Sequence, residues 1–128
     1  MAEPIRLLDT TVLVAHEISL ANFGGGEGIR DEGLLQSALA RPRNLYAYGE
    51  PTLFDLAASY TYGIVNNHPF IDGNERTGFL AGAAFLELNG YQLVAAEPEA
   101  TAAILGVASG TIAEDELADW FQTHSREA

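Results

Sequence analysis

The sequence predicts an all-α fold: a single compact six-helix bundle with a flexible glycine-rich loop and little or no β structure. Helix-starting and helix-stopping residues recur at regular intervals along the chain. Between them, apolar residues repeat with a helical period instead of alternating. No internal repeat, low-complexity tract or linker divides the 128 residues, and 48% of them are apolar, so one domain over residues 1–128 has enough material for a core.

Thr10 and Thr11 are candidate caps for a first helix that runs to about Asn22 and ends at Gly24-Gly25-Gly26. "GGGEGIR" reads as a flexible loop, because consecutive glycines carry large conformational freedom. Asp31 suits the N-cap of a second helix, with Leu34, Leu35, Ala38 and Leu39 on one face and Pro42 as its stop; "RPRNLYAYGEPT" then reads as a connection. A third helix is expected from about Thr52 to Asn66, with Leu53, Leu56, Ala57, Tyr60 and Ile64 at helical spacing.

The fourth helix, about Asn74 to Leu88, is apolar nearly all round, which marks it as the buried centre. Gly78 and Gly82 on it favour close approach of a neighbouring helix. Asn89-Gly90 supplies its stop, "YQLVA" a short extended piece, and Pro98 the start of a fifth helix ending at Ser109-Gly110. "TIAE" reads as the capping box of a sixth, whose Leu117, Trp120 and Phe121 face inward.

The chain has no cysteine, which excludes disulfides, thiolate nucleophiles and Cys-based zinc sites. No apolar run approaches the roughly 20 residues of a membrane helix, and "MAEPIRLLDTT" lacks the features of a secretory signal, so a cytoplasmic, membrane-free protein is expected. Six arginines and no lysine stand against 18 acidic residues, for a net charge of −12. A field of that sign repels nucleic-acid phosphates, and any site for an anionic nucleotide has to create its own positive potential. The three histidines lie far apart in sequence and give no zinc spacing; His16 reads as a core or interface residue and His124 as a solvated one.

Chemistry-bearing residues concentrate in "NNHPFIDGNERTGF", residues 66–79. Pro69 disfavours the helical conformation at His68, which ends the third helix there. Asp72 falls where the next helix takes its N-cap, with Gly73, Asn74 and Glu75 following. The free N–H groups and positive dipole end of that helix form an anion site, and Arg76 one turn in adds a guanidinium fork suited to phosphate. Two readings stand at this point. One is phosphate chemistry, with His68 as a base across the loop. The other is an ordinary helix connection, in which Asp72 and Glu75 form a capping pair worth about 1 kcal/mol.

"HPFIDGNERT" resembles the signature loop of the Fic/Doc superfamily, H-x-F-x-[DE]-[GA]-N-x-R, at His68, Phe70, Asp72, Gly73, Asn74 and Arg76. "GIRDEGLLQSALARP", "FLELNGY" and "ELADWF" resemble Doc-type (death-on-curing) toxins, so the likeness runs over nearly the whole chain. The resemblance implies that His68 is the general base toward a target hydroxyl, a task suited to histidine chemistry. It implies that Phe70 packs into the core, that Asp72 holds the magnesium bridging nucleotide phosphates, and that Gly73, Asn74 and Arg76 bind phosphate oxygens. "GGGEGIR" corresponds to a flap that aligns a target peptide; Arg30 is its one cation.

Two activities occur in that superfamily: Fic-type transfer of AMP from ATP and Doc-type transfer of the terminal phosphate. The Fic pattern has a small residue after the asparagine and a second arginine three residues beyond the first, where this chain has Glu75 and Phe79. The expectation is therefore a Doc-like kinase of a protein Ser/Thr hydroxyl, using ATP or another nucleoside triphosphate with Mg2+. Elongation factor Tu is the target and a Phd-like antitoxin the partner that the family suggests. Doc-like proteins usually carry lysine at the Glu75 position. A unit charge 4–6 Å from the phosphates is worth about 3–4 kcal/mol at an effective dielectric of about 20. AMP transfer and a non-catalytic binding module disabled by Glu75 are thus the alternatives.

Overall fold

The computed structural model describes residues 3–128. Six helices are present among them: α1 (Asp9–Phe23), α2 (Glu32–Tyr48), α3 (Leu53–Asn67), α4 (Asn74–Leu88), α5 (Glu97–Ser109) and α6 (Glu114–Thr123). Two three-residue strands, β1 (Tyr91–Leu93) and β2 (Ser125–Glu127), pair antiparallel with Gln92 opposite Arg126. The all-α expectation holds.

The centre is the pair α3 and α4. Helices α2 and α6 pack on α3, while α1 packs on α4 and α5 mainly on α4. Glycine sets how closely the central pair approaches. A Cβ built on Gly82 would lie 2.6 Å from Thr61 Oγ1 and 2.9 Å from the Ala57 carbonyl; one on Gly78 would lie 2.9 Å from the Thr61 carbonyl. The Thr61 hydroxyl uses this proximity to donate across the seam to the Gly78 carbonyl at 2.8 Å. Phe70, Phe85, Leu86, Ile64, Leu35, Leu117 and Phe121 fill the core around it.

Local differences from the sequence expectations have physical causes. Pro42 lies inside α2, which continues to Tyr48. An interior proline costs about 3 kcal/mol through its missing N–H, but Pro42 is buried, and Arg41 is anchored by a two-pronged ion pair to Glu114. Asp31 caps α2 as expected, accepting from Leu34 N at 2.9 Å, and Thr52 forms a capping box with Asp55 at α3. Thr10 and Thr11 cap nothing: α1 starts one residue earlier, at Asp9, after Leu8, which offers no side-chain cap. At α6 the capping glutamate is Glu116, bonded to Ala113 N, while Thr111 turns its hydroxyl to the Gly106 carbonyl that ends α5. His124 is not solvated. It stacks on Trp120 with ring centroids 4.1 Å apart, and its two nitrogens face the Trp120 carbonyl and the Glu99 carboxylate.

Candidate functional site

The loop from α3 to α4 is built from its punctuation. His68 closes α3 at φ 47°, ψ 55°, the one non-glycine residue with positive φ among the described residues. Pro69 pushes its predecessor out of the right-handed helical region, and nearby contacts hold it in this sparsely occupied one. Arg30 Nε donates to the His68 carbonyl at 2.7 Å and its Nη2 to the Asn67 carbonyl at 2.9 Å. The Pro69 carbonyl accepts from the N–H groups of Arg30 and Asp31, and Ile71 N donates to the Gly28 carbonyl. The glycine-rich segment is therefore not free: it lies antiparallel on the loop, with Ile29 opposite Phe70. Arg30 acquires a task its sequence position did not reveal.

Phe70 is fully buried, as the resemblance implies, and the His16 ring stacks on it at 3.9 Å with an interplanar angle of 11°. Asn74 is also buried. Its Oδ1 accepts from Phe70 N and its Nδ2 donates to the Phe70 carbonyl, both at 3.0 Å, and Nδ2 lies 3.4 Å from His68 Nδ1. In this conformation the Asn74 side chain braces the loop and the imidazole, so it offers a cleft anion only its backbone N–H. The His68 ring itself is exposed.

The cap of α4 removes one of the two readings of Asp72. Gly73, not Asp72, is the N-cap, at φ 79°, ψ 18°, and no side chain caps the helix. The expected Asp72–Glu75 capping pair does not form, because glycine takes the left-handed geometry easily and moves the cap one residue on. Among the described residues nothing accepts from the N–H groups of Gly73, Asn74, Glu75 and Arg76. Those donors, with the dipole of a 15-residue helix behind them, form the kind of positive helix end that favours an anion. The Asp72 carboxylate, freed from capping, accepts from Gly26 N of the flap at 2.8 Å.

Asp72, Gly73, Glu75 and Arg76 line a cleft of about 390 Å³ together with the apolar Phe23, Ile104 and Leu105. That is within the roughly 300–1,000 Å³ of small-molecule sites. The Arg76 guanidinium rests on the Phe23 ring, 3.5 Å from its centroid. His68 is not in this wall; it stands on the exposed side of the same loop. Among the described residues no group of three or more His, Asp or Glu is placed to hold a metal. A magnesium at Asp72 would thus find at most two protein carboxylates in this wall, Asp72 and Glu75, a donor set that suits Mg2+ carried in on phosphates with its own waters.

A model of the Fic/DOC family matches residues 7–86, which spans α1 through most of α4 and the whole loop. The chain belongs to the Fic/DOC family. It is also 44% identical over 87 residues to the protein named Toxin Doc of Mycolicibacterium smegmatis, a match covering 66% of this chain and 64% of that relative. The Doc-type likeness of the sequence is thereby borne out, and the Fic/DOC match contains every residue of the loop discussed above. No helix among the described residues is long and apolar enough to cross a membrane.

Proposed function

We propose that this Fic/DOC chain transfers the terminal phosphate of ATP to a Ser or Thr hydroxyl of another protein, as the toxin of a toxin–antitoxin pair. The observation that carries the reading is the uncapped N-terminus of α4, four N–H groups without a protein acceptor, with Gly73, Glu75 and Arg76 lining one cleft. A capping side chain would occupy these donors, and α4 has none.

The residues divide the work. The N–H groups of Gly73 to Arg76 and the Arg76 guanidinium hold and orient the phosphates. His68 accepts the proton of the target hydroxyl, whose oxygen bonds to the γ-phosphorus as the bond to the β–γ bridging oxygen breaks and ADP leaves. Asp72 would hold the magnesium, which neutralises phosphate charge when bound. The docked flap, anchored through Arg30, offers the edge along which the target peptide aligns. Phe79 supports transfer of the γ group over AMP. It is buried against Trp120 and Phe121, with centroids 5.6 Å away, and brings no second guanidinium to the cleft. The family suggests elongation factor Tu as the target and a Phd-like antitoxin as the neutralising partner.

A second reading has its own observation: the Glu75 side chain lines the same cleft as Arg76. A carboxylate there opposes phosphate binding and supports a Fic/DOC fold kept for partner contact alone. The protein is incubated with magnesium, candidate targets and ATP labelled at the α or the γ position. Transfer of the γ label is expected; transfer of the α label would mean AMP chemistry, and neither, with no growth arrest on expression, would leave the binding module.

A further inference from the structure

We infer that His16, a residue of α1 outside the signature loop, is a positioning residue that aims the anion-binding N–H groups of α4. The ring is buried, with one face on Phe70. Its Nε2 lies 2.8 Å from the Asp72 carbonyl oxygen. A carbonyl only accepts, so Nε2 carries a proton and donates.

That carbonyl has two relations to the cleft. It belongs to the planar, trans peptide joining Asp72 to Gly73, so holding the C=O toward His16 sends the Gly73 N–H the opposite way. It is also the acceptor that a helix longer by one residue would offer to the Arg76 N–H. With the carbonyl turned to α1, the Arg76 N–H remains unpartnered. Gly73 is pressed on the same helix, since an added Cβ would lie 3.3 Å from Ser19 Oγ and 3.7 Å from His16 Cδ2. The hydrogen bond of His16 therefore fixes the peptide plane from which the open first turn of α4 begins. A histidine retained for packing alone would be replaceable by phenylalanine; a donor at this place would not.

The inference takes its ligand from the function proposed above, but its first test does not need that ligand. The full chain, isotope-labelled, is compared with His16→Phe, which keeps the stack and loses the donor, and with His16→Gln, which keeps a donor near the Nε2 position. In the wild type the imidazole proton is expected on Nε2. In His16→Phe the Gly73 and Asn74 amide resonances are expected to move while those of α6 stay, and His16→Gln is expected to restore them. Affinity for Mg·ATP is expected to fall about tenfold in His16→Phe and to stay within about threefold in His16→Gln, the effect of losing one buried donor. A folded His16→Phe with unmoved Gly73 and Asn74 resonances, or a neutral ring protonated on Nδ1, overturns the inference. Should His16→Phe fail to fold, the wild-type ring proton and His16→Gln decide alone. If the wild type binds no Mg·ATP, the proposed function falls while the resonances still decide the role of His16.

Discussion

The guanidinium of Arg76 stacks on the ring of Phe23, 3.5 Å from the centroid, at the mouth of the cleft that its own helix opens. The one arginine in the cleft wall is thus held by an aromatic face on α1. A phosphate that needs Arg76 deeper in the cleft has to draw it from there.

Phe23→Ala removes that competitor. Phe23 is 59% exposed, so the stack belongs to the weaker class of about 0.5–1 kcal/mol, and Mg·ATP binding is expected to tighten about two- to fivefold. Isothermal titration checks it. Weaker binding in the variant would mean that Phe23 supports the nucleotide instead of guarding Arg76.

Glu75→Lys reverses the charge in the same wall. Affinity for Mg·ATP is expected to rise about ten- to a hundredfold at low salt, less as ionic strength screens the partly exposed site. Titrations at two salt concentrations measure both parts. Unchanged affinity would show the Glu75 carboxylate turned away from the phosphates.

His68 is subject to two demands that substitution separates. Its φ of 47° is unfavourable for any residue with a Cβ, so His68→Gly is expected to be more stable than His68→Ala by about 1 kcal/mol. Both are expected to lose phosphate transfer and growth arrest. Denaturant unfolding and labelled-ATP assays on the two variants give the comparison. Activity in either removes His68 as the base.

How far the sequence revealed this arrangement depends on the range of each interaction. The end of α3 and the span of α4 were legible, because Pro69 acts on the residue just before it and Asn89-Gly90 stop a helix locally. Core positions such as Leu35, Leu56, Ile64 and Leu117 were legible from period, whereas the burial of Phe70 in the loop came from the resemblance. Pro42 misled because what keeps α2 going is tertiary: the burial of Pro42 and the ion pair from Arg41 to a residue 73 positions away. The N-cap of α4 was placed one residue early for a similar reason. Asp72 is taken by Gly26 and His16, 46 and 56 residues distant, and neither partner announces itself in the loop. Arg30 reaches forward over 38 residues to the His68 carbonyl, so a role at the loop was invisible in "GGGEGIR".

The α3–α4 seam predicts its own intolerance. Gly82→Ala would place a methyl 2.6 Å from Thr61 Oγ1 and 2.9 Å from both the Ala57 carbonyl and Phe121 Cζ. Backbone on one side leaves little room to yield, so the variant is expected to lose roughly 1–3 kcal/mol. Chemical denaturation tests this, and a wild-type midpoint would show that the two helices separate more easily than their packing implies.

Glu99 links the start of α5 to the end of α6. The hydrogen bond from His124 holds its carboxyl below the usual 4.5, helped by the Ala96 N–H. A carboxylate with a lowered folded pKa adds stability that is complete above its unfolded value and disappears as pH falls through the folded one. The wild type is therefore expected to melt above Glu99→Gln at pH 6, and the gap is expected to shrink once the pH drops below about 4.5. The side chain is exposed, so the gap is small, and its sign and pH course carry the prediction. Glutamine retains an oxygen for Ala96 N, which leaves the His124 contact as the difference. Thermal melts of both proteins between pH 3 and pH 6 decide it, and a gap that stays constant through that range would remove the ion pair as its source.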